Sequence, residues 1–302
     1  MNSPQSVPAT LTLRSVLRLQ ALLLGGFTLA GAVLIGFMRI VSPGSPFSSF
    51  DLAFDTIFSA RFLYFLGAGF AAQVVDGALG MAYGVTSTSL LLSAGVTPAV
   101  ASASVHVAEL CTTMASGISH WRFGNVRRDL FLKLALPGAA GAALGAYVLT
   151  SFDGNLIRPY VAAYLLVMGV LILVKSVGKA FFAGRLKHVR CVALFGGFVD
   201  ASGGGGWGPV VTSTLLGTGY QARATIGTVN AVEFVVALTA AGIFTLFVGI
   251  TGWQVVLGLI AGGLLAAPMG AYACRNVSHR TCMILVALLI IFLSARTLIR
   301  SL

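Results

Sequence analysis

Residues 200–213 read DASGGGGWGPVVTS, and residues 76–89 read DGALGMAYGVTSTS, each inside an otherwise apolar stretch. The two are in register. Asp76, Gly80, Gly84, Thr88, Ser89, Gly95 and Glu109 recur 124 positions later as Asp200, Gly204, Gly208, Thr212, Ser213, Gly219 and Glu233, with no gap. Matching glycines are unsurprising in a chain with 37 of them, but two carboxylates preserved at one spacing are not. The chain therefore reads as two copies of one unit. Glycine costs roughly 1 kcal/mol per helical position relative to alanine, so four in a row at Gly203–Gly206 interrupt a helix.

Composition sets the surroundings of these breaks. With 57% hydrophobic residues, 9% charged and a mean hydropathy of +0.95, the chain is a polytopic membrane protein by class. The apolar runs are too long and too unalternating for barrel strands, which makes the fold all-α. The net charge of +11 does not point to nucleic acid. Arg122, Arg127, Arg128 and Lys133 cluster in one connection, and Lys175, Lys179, Arg185, Lys187 and Arg190 in another, which is the positive-inside pattern of cytoplasmic loops. Cys111, Cys191, Cys274 and Cys282 stand without metal-ligand or redox spacing and read as small apolar fillers. Arg14 and Arg18 precede an apolar run from Leu19 to Met38, read as an uncleaved first helix with a cytoplasmic start.

Three regions follow. Residues 1–61 hold the N-terminal tail, the extra first helix and an external loop; residues 62–188 form the first repeat and residues 189–302 the second. Each repeat has a long Gly-broken segment, near 62–94 and 190–218, followed by three segments of single-crossing length. The broken segment is either a re-entrant pair of half-helices or one interrupted crossing. A re-entrant segment leaves an odd number of crossings per repeat and inverts the copies. Arg223, Arg275 and Arg280 then fall on the cytoplasmic side and only Arg296 and Arg300 outside. That count favours inverted repeats, the arrangement that supplies alternating access by exchange between halves.

After each break a helix begins at Gly84, or at Gly208 with Pro209 suited to a first helical position. Such N-termini aim free N–H groups and a positive dipole end into the membrane interior, where they can hold an anion. Gly80, Gly84, Gly204 and Gly208 form the breaks, and Thr88, Ser89, Thr212 and Ser213 offer hydroxyls beside them. In the next helix His106 and Glu109 share a face, as do Asn230 and Glu233. Both glutamates fall near mid-bilayer, where a carboxylate must be paired, hydrated or protonated. They are candidates for proton relay, with an interhelical hydrogen bond, such as Glu109 with His106, as the structural alternative. Asp76 and Asp200 either bind a coupling cation or cap the half-helix that follows. Acidic groups around an anion imply accompanying protons or sodium.

The two breaks, each followed by a polar-dotted helix, and the stretch His120-Trp121-Arg122-Phe123-Gly124-Asn125 together resemble the sulfite exporter TauE/SafE family. The resemblance covers residues 62–300. It implies a carrier of sulfur-containing anions such as sulfite or organosulfonates in the cell membrane, with Gly80, Gly84, Gly204 and Gly208 at the family's glycine breaks. Asp76 and Asp200 stand where many members have small or hydroxyl residues.

The expectation is a multi-pass secondary transporter of the inner or plasma membrane that exports a small sulfur anion, coupled to protons, with no cofactor. Its partners are the anion, the coupling ion and the lipid bilayer; a homo-oligomer stays open. An anion channel, or a membrane-embedded carboxylate/His metal site or enzyme, are the alternatives. Against an enzyme stands the lack of any nucleophile–base constellation or HExxH spacing. No GxxxxGK[ST] loop is present for ATP-driven transport.

Overall fold

A computed structural model of the protein describes residues 59–79, 81–122, 124–177, 188–249, 253–276 and 279–301. The first helix read at 19–38, Gly80, Lys179, Arg185 and Lys187 lie outside the described residues, as do the side chains of Arg223, Tyr272, Cys274, Arg275 and Cys282. The described chain is helical: α1 (Ala60–Leu79), α2 (Tyr83–Ser93), α3 (Pro98–Arg122), α4 (Arg128–Thr150), α5 (Gly154–Ser176), α6 (Val189–Gly203), a π-helical turn (Gly208–Thr212), α7 (Ser213–Gly217), α8 (Ala222–Phe247), α9 (Trp253–Asn276) and α10 (His279–Ser301). Among them, α4, α5, Ala224–Phe247 and Met283–Ser301 are long and apolar enough to cross a membrane. The helices run into the basic clusters: Arg127 caps α4, and Arg128 and Lys133 lie within it.

Both broken segments fold back on themselves. Tyr64 Oη near the start of α1 donates to Leu90 O near the end of α2 at 3.3 Å; a straight crossing would hold these residues more than about 30 Å apart at 1.5 Å per helical residue. In the second segment, Val211 beyond the break lies against Gly196 before it. Each segment is thus a helical hairpin that enters and leaves by one end of the bundle.

Small residues let neighbouring helices approach closely, the usual basis of helix association in membranes. α1 packs along α9, where a Cβ at Gly262 would lie 2.6 Å from Phe70 N. α6 packs along α4, with a Cβ at Gly141 falling 2.8 Å from Phe198 N. α3 pairs with α8 and α5 with α10. The α3–α8 pair is antiparallel, since Gly117 meets Ala231 while His106 meets Phe244. α5 and α10 also run oppositely: Gly169 meets Ile290, and the start of α5 meets the end of α10.

One residue at the first break is strained. Ala82 is buried with φ 86°, a left-handed conformation that costs an alanine about 1–2 kcal/mol. Its counterpart 124 positions on is Gly206. Ala82→Gly is expected to raise the apparent Tm in a thermal melt of detergent-solubilised protein, worth about 1 kcal/mol after the added unfolded-state entropy. A lower Tm would contradict the strain.

Candidate functional site

The two breaks lie against each other at the centre of the bundle. A Cβ on Gly84 would sit 2.7 Å from Gly205 Cα and 3.0 Å from Glu109 Oε1, and one on Gly208 would sit 2.8 Å from Met81 Cβ. Each half-helix N-terminus is therefore packed on the backbone of the opposite break. Gly204, at φ 71°, ends α6 in the left-handed conformation that glycine adopts without penalty.

The aspartates hold these turns. Asp200 Oδ1 accepts from Trp207 N at 2.8 Å, and Asp200 O accepts from Gly205 N at 2.8 Å. In the first repeat Tyr83 N–H likewise faces Asp76. Tyr83 and Trp207 are again 124 apart, a match of aromatic anchors that the repeat contains but that carboxylate spacing alone does not reveal. Trp207 is fully buried, and its Nε1 donates to Val229 O at 3.3 Å.

Asp200 also carries chemistry. Its Oδ2 lies 3.2 Å from His106 Nε2, both side chains being buried. His106 thus pairs across the repeats and not with Glu109 along its own helix, which corrects the partner read from spacing. The His106 Nδ1 lies 2.7 Å from Ser102 O, a carbonyl that can only accept. The Nε2–H tautomer makes the contact with Asp200 a hydrogen bond as it stands, whereas the Nδ1–H tautomer leaves it room for a second proton. Ser102 Oγ donates to Ala201 O at 2.7 Å and ties α3 to the second break.

Glu109 completes the group. One ligand atom from each of His106, Glu109 and Asp200 lies within 4.8 Å of the others, the set that would hold a cation if one entered. Glu109 is 3% exposed, and its Oε2 has no hydrogen-bond partner. Asp76, Asp200 and Glu233 all lie within electrostatic reach of it. Glu233 and Asn230 on α8 and Asp76 on α1 are half-buried. The carboxylates singled out by the repeat thus converge.

The hydroxyls divide differently. Thr88 Oγ1 is buried and donates to Gly204 O, clasping one break to the other. Ser89 Oγ donates to Val85 O at 2.8 Å, and Ser213 Oγ is held by Lys175 Nζ and Pro209 O. These donors are committed to the protein, whereas Thr86 Oγ1, also buried, has no partner. Tyr164 on α5, unmarked by any motif, donates to Gly205 O at 2.7 Å. Thr88→Val removes the clasp and leaves a buried carbonyl unpaired, so a loss of about 1–3 kcal/mol is expected, read as a lowered Tm. An unchanged melt would remove Thr88 from this role.

Residues 65–297 match the family model described as "Sulfite exporter TauE/SafE". The chain belongs to the TauE/SafE family. It is 43% identical over 251 residues to the "Probable membrane transporter protein YtnM" of Bacillus subtilis (strain 168), an alignment covering 80% of this chain and 84% of that protein. No solved structure matches the chain. As a TauE/SafE protein it is a multi-pass membrane transporter.

Proposed function

We propose that this TauE/SafE protein exports a small sulfur oxyanion, sulfite or an organosulfonate, in exchange for or together with protons, by alternating access between inverted halves. The observation that carries the reading is the buried His106–Asp200 contact beside the unpartnered oxygen of Glu109, an arrangement of imidazole and carboxylates that can hold a proton. Four carboxylates gathered in an apolar interior cannot all be charged at once, so the group takes up protons or cations. The half-helix N-termini at Gly84 and Gly208 would receive the anion once the breaks part. The family's description, "Sulfite exporter", supplies the substrate class.

The antiparallel pairing of homologous helices, α3 with α8 and α5 with α10, supports the inverted arrangement. In it the Arg127–Arg128 connection, the start of α8 and the start of α10 share one end, the cytoplasmic one by the positive-inside pattern. Metal analysis of purified protein tests the rival reading of His106, Glu109 and Asp200 as a metal centre: stoichiometric metal that survives purification, lost in Asp200→Asn, would replace proton coupling as their role.

A further inference from the structure

The bundle end where α4 finishes and α5 begins holds a cleft of about 430 Å³, between the last turn of α2, the first turns of α5 and the last turns of α10. Three arginines line it: Arg158 from α5, and Arg296 with Arg300 from α10. Arg296 and Arg300 stand four apart on one helix face, a like-charge spacing that destabilises a helix. Among the described residues the ion pairs are His106–Asp200 and Arg127–Asp129, so none of the three has a carboxylate partner. Asp153, which caps α5, is engaged by Asn155 N and Leu156 N.

Topology does not account for these charges. They lie one length of α4, 23 residues or about 34 Å, from the basic connection at Arg127 and Arg128. The positive-inside pattern asks for few arginines at that opposite end. Arg158 Nη2 donates to Leu92 O at 2.6 Å, which fixes the guanidinium at the C-terminus of α2 and leaves its other N–H groups available. The hydroxyls of Thr297 and Ser301 donate to Leu293 O and Thr297 O. Ser93 Oγ likewise donates to Leu90 O, so the donors left to the cleft are the Asn155 amide and the cationic forks, which match an oxyanion bearing several acceptor oxygens.

We infer that this arginine cleft is a second binding site, distinct from the breaks, for an oxyanion of the sulfate, sulfonate or phosphate type. Two sources carry that chemistry, a free anion and the phosphate of a lipid headgroup. The α2 helix joins the sites: it starts at the break, ends at the cleft, and at 11 residues spans about 16 Å. A service as antechamber to the breaks rests on the transport reading; binding in the cleft does not.

Calorimetric titration of sodium sulfate into delipidated full-length protein in detergent tests the site. Saturable binding is expected, weakened about tenfold by Arg296→Gln and again by Arg300→Gln, one charge-assisted hydrogen bond apiece. Arg296→Lys should recover part of the loss, and thermal melts establish that each variant is folded. Gly67→Ala, on an exposed face of α1 with open space around it, should leave sulfate binding as it is, and the transport reading is decided apart, by the pH-gradient dependence of flux, so the two readings fall separately. In nanodiscs, phosphatidylglycerol that competes with sulfate and stays with the wild type but not with the double arginine variant would assign the cleft to headgroup phosphate. Sulfate affinity and phosphatidylglycerol retention both unchanged in the arginine variants, or neither probe bound by folded protein, would overturn the inference.

Discussion

Glu109→Gln is expected to abolish the stimulation of transport by a pH gradient while leaving the protein folded. The side chain is buried with one oxygen unpartnered, facing Gly84 at the first break and the His106–Asp200 pair across it. Glutamine keeps the volume but cannot gain or lose a proton at neutral pH. Its cost in stability should stay within about 1 kcal/mol, a Tm change of about 2–4 °C. Transport driven by a substrate gradient alone should persist at reduced rate, because the half-helix N-termini are untouched. Coupled flux equal to wild type in the variant would remove Glu109 from the proton path. His106→Gln addresses the same step from the other side and is expected to lose the stimulation as well.

Gly84→Ala should have the second large effect. The added methyl would lie 2.7 Å from Gly205 Cα and 3.3 Å from Gly204 O, both backbone, so no side chain can rotate out of its way. Overpacking of this kind costs about 1–3 kcal/mol, and here it wedges the two breaks apart. Loss of flux with a Tm lowered by several degrees is the expected result. Gly67→Ala is the matched control: it has open space around it on an exposed face of α1, and alanine should stabilise that helix by up to about 1 kcal/mol. Wild-type stability and flux in Gly84→Ala would mean that the breaks need not touch.

The 124-residue spacing made the breaks and their carboxylates legible, because interrupting a helix and burying a charge each demand particular residue types. Fold-back was legible only through the count of arginines on the two sides. A hairpin and an interrupted crossing have the same hydropathy, and the Tyr64–Leu90 and Gly196–Val211 contacts tell them apart. The His106–Asp200 pair joins residues 94 apart, which no helical period relates. The partners of the hydroxyls were hidden for a related reason. Spacing placed Thr88, Ser89 and Ser213 next to the breaks, but it could not show that protein carbonyls and Lys175 already engage them. Arg296 and Arg300 entered the sequence reading only as the two arginines on the outer side, and the sequence did not show that their helix shares a cleft with Arg158.

Radiolabelled sulfite flux in proteoliposomes, measured with and without an imposed pH gradient, tests the central claim most directly. Saturable flux that rises with the gradient, and loses that rise in Glu109→Gln, is the predicted result. Flux indifferent to the gradient and unsaturable, from folded protein, would contradict proton-coupled transport and make the protein an anion channel.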